Sequence, residues 1–89
     1  MNFEWDETKA RTNLDKHSVS FSEATEVFAD EYSSYAQDPD HSDEEDRYLL
    51  FGLSSKGTHM VVSFTERPDA IRLISARRMT RQERKAYEQ

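Results

Sequence analysis

Arg47-Tyr-Leu-Leu-Phe-Gly-Leu53, Met60-Val-Val-Ser-Phe-Thr65 and Ala70-Ile-Arg-Leu-Ile-Ser-Ala-Arg-Arg78 are three runs rich in aromatic, leucine and β-branched side chains, and their reading decides the fold. Each has the length of an ordinary strand and is bounded by turn residues. Ser54-Ser-Lys-Gly57 can close the first two as a hairpin, and Arg67-Pro68-Asp69 turns the chain into the third. Connections this short leave no room for a crossover, so an antiparallel meander is predicted. Along the third run Ile71, Leu73 and Ser75 alternate with Arg72, Ile74 and Ala76, so neither face is wholly polar. That pattern predicts a central strand covered on one side. Arg72 and Arg78 then share the opposite face, and Arg77 points away from them unless a bulge intervenes near the strand end.

Upstream, Tyr32-Ser-Ser-Tyr-Ala36 reads as a further short strand. It leads into Asp38-Pro-Asp-His-Ser-Asp-Glu-Glu-Asp46, an acidic segment with six carboxylates. Ser20-Phe-Ser-Glu23 has the form of a capping box, in which the Ser20 hydroxyl accepts from the Glu23 amide and the Glu23 side chain reaches back. Phe21, Ala24, Val27 and Phe28 follow at helical spacing, predicting a helix over Phe21–Phe28. Asp6 is the expected N-cap of an earlier helix over Glu7–Lys16, acidic at its start and basic at its end, with Ala10, Leu14 and then His17 as its thin stripe. Asn2–Trp5 reads as an opening strand, and Thr80-Arg-Gln-Glu83 as a second capping box before a terminal helix over Arg81–Tyr87. The order β-α-α-β-β-β-β-α predicts a single α+β domain over residues 1–89, its helices covering one sheet face.

A chain of 89 residues has material for one small core, and the absence of cysteine excludes disulfides, thiolate zinc sites and cysteine nucleophiles. No apolar run approaches the roughly 20 residues of a membrane span, and Met1–Asp6 lacks the form of a signal peptide. A soluble, cytoplasmic protein is expected. The net charge of −6 hides a division: residues 1–70 carry −10, while residues 71–89 carry +4 through Arg72, Arg77, Arg78, Arg81, Arg84 and Lys85. The whole molecule repels nucleic acid at long range, so any such contact must be local.

Phe3-Glu-Trp-Asp6, Asn13-Leu-Asp-Lys-His17, Val19-Ser-Phe21, His41-Ser42, Glu45-Asp-Arg47, Gly52-Leu-Ser54, Ile74-Ser-Ala-Arg77 and Glu83-Arg84 occur in an order and spacing that resembles the BrnT toxins of bacterial type II toxin–antitoxin systems. The resemblance covers nearly the whole chain. It implies a RelE-like fold, metal-independent endoribonuclease activity without a cofactor, and growth inhibition through RNA cleavage. It also implies a BrnA-like ribbon-helix-helix antitoxin that blocks the toxin as a hetero-oligomer and carries it to operator DNA. One departure is visible. The family usually reads Lys-His-Gly where this chain has Lys16-His17-Ser18, and a serine there is strained if the position needs a positive φ.

Cleaving RNA without a metal requires a group to take the 2′-OH proton, cations to hold the extra negative charge on phosphorus, and a donor for the leaving 5′-oxygen. Arginine suits the middle task, because its planar fork binds phosphate oxygens in pairs and keeps its charge. Arg47, Arg67, Arg72 and Arg77 come from the meander and are the expected catalytic cations, against the alternative that each is solvated or paired with a carboxylate. His17 and Glu66 are the favoured proton carriers; His17 can equally be a helix C-cap, and Glu66 an ion-pair partner of Arg67. His41 and His59 are weaker candidates, His59 reading as a strand surface residue. Arg78, Arg81, Arg84 and Lys85 make the expected RNA-binding surface, with Tyr87 either stacking on a base or packing against the sheet. Asp38, Asp40, His41 and Asp43 lack the glycine and distal glutamate of a calcium loop, so no metal site is expected. Tyr35, Tyr48, Phe51 and Phe64 read as core. The alternative is a non-enzymatic binding module, a corepressor whose acidic body suits a basic DNA-binding partner better than free RNA.

Overall fold

A computed structural model describes residues 1–40 and 46–88. In chain order the elements are β1 (Phe3–Glu4), α1 (Glu7–His17), α2 (Phe21–Val27), β2 (Ser34–Gln37), β3 (Tyr48–Leu53), β4 (His59–Glu66), β5 (Ile71–Arg78) and α3 (Arg81–Tyr87). The strands form one sheet in the order β1-β5-β4-β3-β2. β2 to β5 make the expected antiparallel meander, but the sheet as a whole is mixed, because β1 lies parallel to β5 with Phe3 beside Ile71 and Glu4 beside Arg72. The two helices between β1 and β2 carry the chain across the sheet, so β1 is free to join the far edge in the parallel sense.

Alternation assigns the faces. Met60, Val62 and Phe64 of β4 pair with Gly52, Leu50 and Tyr48 of β3, and Val62 and Phe64 pair with Ala76 and Leu73 of β5. These side chains meet Val19, Phe21, Ala24 and Val27 under α1 and α2, forming the core. Phe3, Phe28, Phe64 and Tyr48 continue it as a chain of rings with centroids 5.1, 5.1 and 5.6 Å apart. Tyr35 touches Tyr48 but is 68% exposed, and Phe51 lies on the second face, so that aromatic set is only partly core.

β5 departs from regular alternation. Ser63 pairs with Ser75 and Phe64 with Leu73, leaving Ile74 as an extra residue in mid-strand. The bulge puts Leu73 and Ala76 on the same core-facing side. It equally puts Arg72 (opposite Thr65) and Arg77 (opposite Val61) together on the second face, while Arg78, opposite Met60, goes to the helix side. The expected pairing of Arg72 with Arg78 is therefore corrected to Arg72 with Arg77; a strictly alternating strand would have exposed either Leu73 or Ala76.

The helices begin where their caps predict. Asp6 accepts from the amides of Thr8 and Lys9 at 2.8 and 3.1 Å, which holds its carboxyl below the usual range. Ser20 Oγ accepts from the Glu23 amide at 3.0 Å, but Glu23 does not complete the box; it accepts from Ser54 Oγ at 2.8 Å and ties α2 to the β3–β4 turn. α1 packs through a different stripe from the expected one. Asn13 is buried, Ala10 is half-buried and Leu14 is 48% exposed. The Asn13 amide donates to Ala76 O and Val19 O at 2.9 and 3.2 Å, and its carbonyl accepts from Ala76 N at 3.0 Å.

α1 ends at Ser18, which closes the last turn by donating to Leu14 O with φ 60° and ψ 25°. A left-handed backbone costs a residue with a Cβ roughly 1–2 kcal/mol, of which glycine's larger chain entropy returns only part. Ser18→Gly is expected to stabilise by about 0.5–1 kcal/mol, raising the thermal midpoint by roughly 2–8 °C. An unchanged or lower midpoint in a melting experiment would contradict the strain.

α3 does not join α1 and α2. It lies over the second face, beside Phe51, Arg77 and His59, and none of its residues is buried. The reason is its side chains: Arg81-Gln-Glu-Arg-Lys-Ala-Tyr87 offers no apolar stripe, so it is held by polar contacts. No helix among the described residues is long and apolar enough to cross a membrane.

Candidate functional site

The second face of the sheet carries Arg72 and Arg77, in rows set by strand pairing. Thr65 of β4 is buried, and its hydroxyl donates to Asp46 O at 2.8 Å, which fastens the start of β3 to the end of β4. Arg72 stands beside Thr65 on β5. On the other flank Arg47 immediately precedes Tyr48, whose ring is on the core side, so alternation directs Arg47 to the second face. Thr65 is thus bracketed by two arginines, each roughly one strand spacing, about 4.8 Å, to its side. Glu66 and Arg67 follow at the exposed strand end. Asp46, Tyr48, Thr65, Glu66 and Arg67 together line a depression of about 310 Å³. Arg47, Glu66, Arg67 and Arg72 all come from this end of the sheet, but Glu66, opposite Ile71, alternates to the core-facing side, and of the four only Glu66 and Arg67 line the depression.

Arg72 is oriented by Glu4, to which it donates at 2.8 Å across the β1–β5 pair. Both side chains are substantially exposed, so the pair is weak and a phosphate can replace the carboxylate. Beyond this row come Ser63 and Ser75, then Val61 and Arg77. Four residues of β4 separate the rows of Arg72 and Arg77, roughly 13 Å. The two guanidinium groups thus share a face but not a single phosphate.

Arg77 is committed differently. It donates to both Glu83 carboxylate oxygens, at 2.8 and 2.9 Å, and to Arg78 O at 3.2 Å. Glu83 also accepts from the Thr80 amide at 2.8 Å, completing the predicted capping box, so one carboxylate both starts α3 and anchors it to β5. The Arg77 hydrogen bonds, with the Thr80 amide and against partial burial, hold the Glu83 carboxyl down to about 2, and the Arg77 guanidinium is raised in turn. A carboxyl with a depressed value contributes stability above its unfolded value and loses it as the pH falls through the folded one. Glu83→Gln is therefore expected to lower the melting temperature at pH 7, with the difference from wild type shrinking below about pH 4.5 and closing near pH 2. A deficit independent of pH would show that the pair's charge is immaterial.

At its far end α3 is pinned by Tyr87, whose hydroxyl donates to Asp30. Burial and then the Asp30 carboxylate push the Tyr87 hydroxyl up to about 12. Burial pushes Asp30 upward, but donation from Tyr87, Leu53 N and Tyr32 N outweighs it and keeps the carboxyl below its ordinary value. Tyr87 thus takes the packing role of its two readings, edge-on to the His59 ring at 5.8 Å.

The remaining expected residues lie apart. His17 is half-buried at the end of α1, on the helix-bearing side of the sheet and away from Arg72 and Arg77. Arg78 is also on that side, near enough to Glu23 to favour its ionised form, although burial and the hydroxyl hydrogen bonds weigh more. Arg81, Arg84 and Lys85 are exposed on α3, Arg84 lying 3.7 Å from Glu88. His41 falls outside the described residues. His59, given little weight from sequence, stands on the arginine face beside Tyr87, with Nε2 3.6 Å from Glu88. The signal that could have found it is its odd spacing from Met60, Val62 and Phe64. Thr65 was missed because nothing in its neighbours distinguishes a buried, bonded threonine from an ordinary strand residue. Among the described residues no group of three His, Asp or Glu side chains is placed to hold a metal ion.

A family model described as "Ribonuclease toxin, BrnT, of type II toxin-antitoxin system" matches residues 5–83. The fold is similar to the crystal structure of the Brucella abortus ribonuclease toxin BrnT, with a TM-score of 0.67 and 25% sequence identity over 91% of this chain and 99% of that one. No curated protein matches.

Proposed function

This chain belongs to the BrnT family of ribonuclease toxins of type II toxin–antitoxin systems, and we propose that it cleaves RNA without a metal on the second face of its sheet. The observation that carries the reading is the row Arg72, Thr65, Arg47, in which strand pairing sets an arginine on each flank of Thr65. A scissile phosphate lies over Thr65, its non-bridging oxygens held by the two guanidinium groups. The 2′-oxygen of the preceding ribose forms a bond to phosphorus, the bond to the 5′-oxygen breaks, and the arginines hold the added charge of the transition state. Because Glu66, opposite Ile71, is directed by alternation to the core-facing side, a water takes the 2′-OH proton and another returns one to the departing 5′-oxygen, leaving a 2′,3′-cyclic phosphate. The strand continues over Ser63 and Ser75 toward Arg77, and Arg81, Arg84 and Lys85 extend the cationic track along α3. His17 takes no part.

With this reading go a RelE-like description of residues 1–89 as one toxin domain, action in the cytoplasm against RNA, and inhibition of translation and growth. The antitoxin is of the BrnA-like ribbon-helix-helix kind, which blocks the toxin and holds it at operator DNA. The test is to incubate purified protein with a single-stranded RNA in excess chelator. Cleavage with cyclic phosphate ends is expected, abolished by a 2′-deoxy substitution at the cut position. Folded protein that leaves RNA intact in chelator, or cuts the deoxy substrate, would reject it.

A further inference from the structure

We infer that the outer edge of β2 is the antitoxin's docking edge, where a basic, extended segment of that partner adds a strand to the sheet. The identity of the partner as an antitoxin rests on the family reading above; the edge itself does not.

β2 is the terminal strand, paired with β3 on one side and with no strand on the other among the described residues. All four of its residues are exposed. Free edges are ordinarily guarded by lysine, proline, an inward-pointing charge or a covering element. Ser34-Tyr-Ala-Gln37 has none of these residues, and α3 comes near the strand at Ser34, with which Glu83, Ala86 and Tyr87 line a depression beside Phe51 on the second face. β1, at the other end of the sheet, is only two residues long and is not a comparable template. Beside β2 stand the two most exposed aromatic side chains of the described residues, Tyr32 at 81% and Tyr35 at 68%. Large rings left in water next to an unpaired strand edge offer an incoming strand apolar contact for its alternate side chains.

Charge selects the occupant. From Asp30 to Asp46 the sequence has eight carboxylates and no lysine or arginine. Glu31 and Asp40 flank the strand in exposed positions, and Asp46 lies alongside, accepting from Gln37 Nε2 at 3.4 Å. A second copy paired edge to edge would bring these acids against themselves, and RNA would bring phosphates against them. A peptide strand with lysine or arginine at alternate positions meets both the backbone groups and the charge. The edge is also separate from the arginine face, so a partner anchored here can extend over the active row without competing with its own anchor.

The experiment uses the purified full-length toxin and, as probe, the protein encoded by the open reading frame adjacent to its gene. Hydrogen–deuterium exchange is followed on the toxin alone, with the probe, and with a single-stranded RNA. The probe is expected to slow exchange of the outward amides of residues 34–37 about tenfold or more. Charge reversal at the exposed flanks, Glu31→Lys with Asp40→Lys, is expected to weaken probe binding about tenfold at low salt while leaving the melting temperature and RNA cleavage by the toxin alone unchanged. Probe binding with no protection at 34–37, binding indifferent to the charge reversal, or no binding at all would overturn the inference. Protection that grows with toxin concentration alone, or that RNA supplies, would also overturn it by giving the edge to a second copy or to nucleic acid. A toxin that leaves RNA intact yet shows probe-dependent protection would remove the nuclease reading and keep the docking edge.

Discussion

Arg72→Ala lowers RNA cleavage by about 10²–10³-fold while the melting temperature moves little. The catalytic loss has the size of removing one charge-stabilising donor from a transition state. The small structural loss follows from the Arg72–Glu4 pair, which is exposed at both ends and worth less than about 1 kcal/mol. Arg47→Ala is expected to match it, since both guanidinium groups flank Thr65. Arg77→Ala behaves differently. It stands two rows away and anchors α3 through both oxygens of Glu83, so its activity loss is nearer tenfold and its stability loss is the larger of the three. Arg72→Lys recovers only part of the activity, because an ammonium keeps the charge but not the paired geometry. The measurement is cleavage of a labelled RNA under single-turnover conditions beside a thermal melt of each variant. Arg72→Ala with wild-type cleavage, or an order in which Arg77 dominates activity without affecting stability, would move the scissile phosphate away from Thr65.

Asn13→Leu removes a large share of the protein's stability. β1 accompanies β5 only at Ile71 and Arg72, so among the described residues the edge of β5 beyond them has no neighbouring strand. There the Asn13 carboxamide takes the place of one, accepting from Ala76 N and donating to Ala76 O, with Val19 O as a further acceptor. Asn13 is 7% exposed and Ala76 fully buried, so water does not replace these bonds. Leaving buried backbone groups unpaired costs about 1–3 kcal/mol each, for a total of roughly 3–5 kcal/mol. Folding free energies of about 0.05–0.15 kcal/mol per residue give a chain of this size only roughly 4–13 kcal/mol to lose. The check is the urea midpoint of the variant. A loss under about 1 kcal/mol would mean that α1 is held by its apolar contacts and that the carboxamide is incidental. Because leucine has the same branched heavy-atom shape and is no smaller than asparagine, a cavity cannot be the cause of a large loss.

The elements were largely legible in the amino-acid order because their signals are local. Asp6, Ser20 and Thr80 each place a side-chain acceptor where helix amides lack partners, and the hairpin turn before Gly57, with φ 83°, needs a residue without a Cβ. The full series of short motifs also carried the family. What sequence could not supply were the choices made between distant segments. Glu23 faced two acceptable donors, its own N-cap and Ser54, and only the packing of α2 on the β3–β4 turn selected the second. Leu14 looked like a core residue by spacing, yet a polar Asn13 took that place because an unpaired strand edge required its carboxamide.

The same division governs the candidate site. Residue types and a basic C-terminal stretch were enough to make arginines the candidate phosphate-binding groups. Which of them act together depends on a single extra residue at Ile74, which shifts the register of β5 against β4 and turns Arg77 to the side of Arg72. A bulge of this kind exists because Leu73 and Ala76 must both reach one core, a demand that arises only once two helices are packed there. Sequence by itself determined the helices, the strands, the turns and the family, since each is written in contiguous residues. The tertiary structure alone decided the parallel seat of β1, the side taken by α3, and the placing of Arg72 beside Thr65 on the face that Arg77 shares. Those depend on hydrogen-bonding and apolar needs satisfied between residues far apart in the chain.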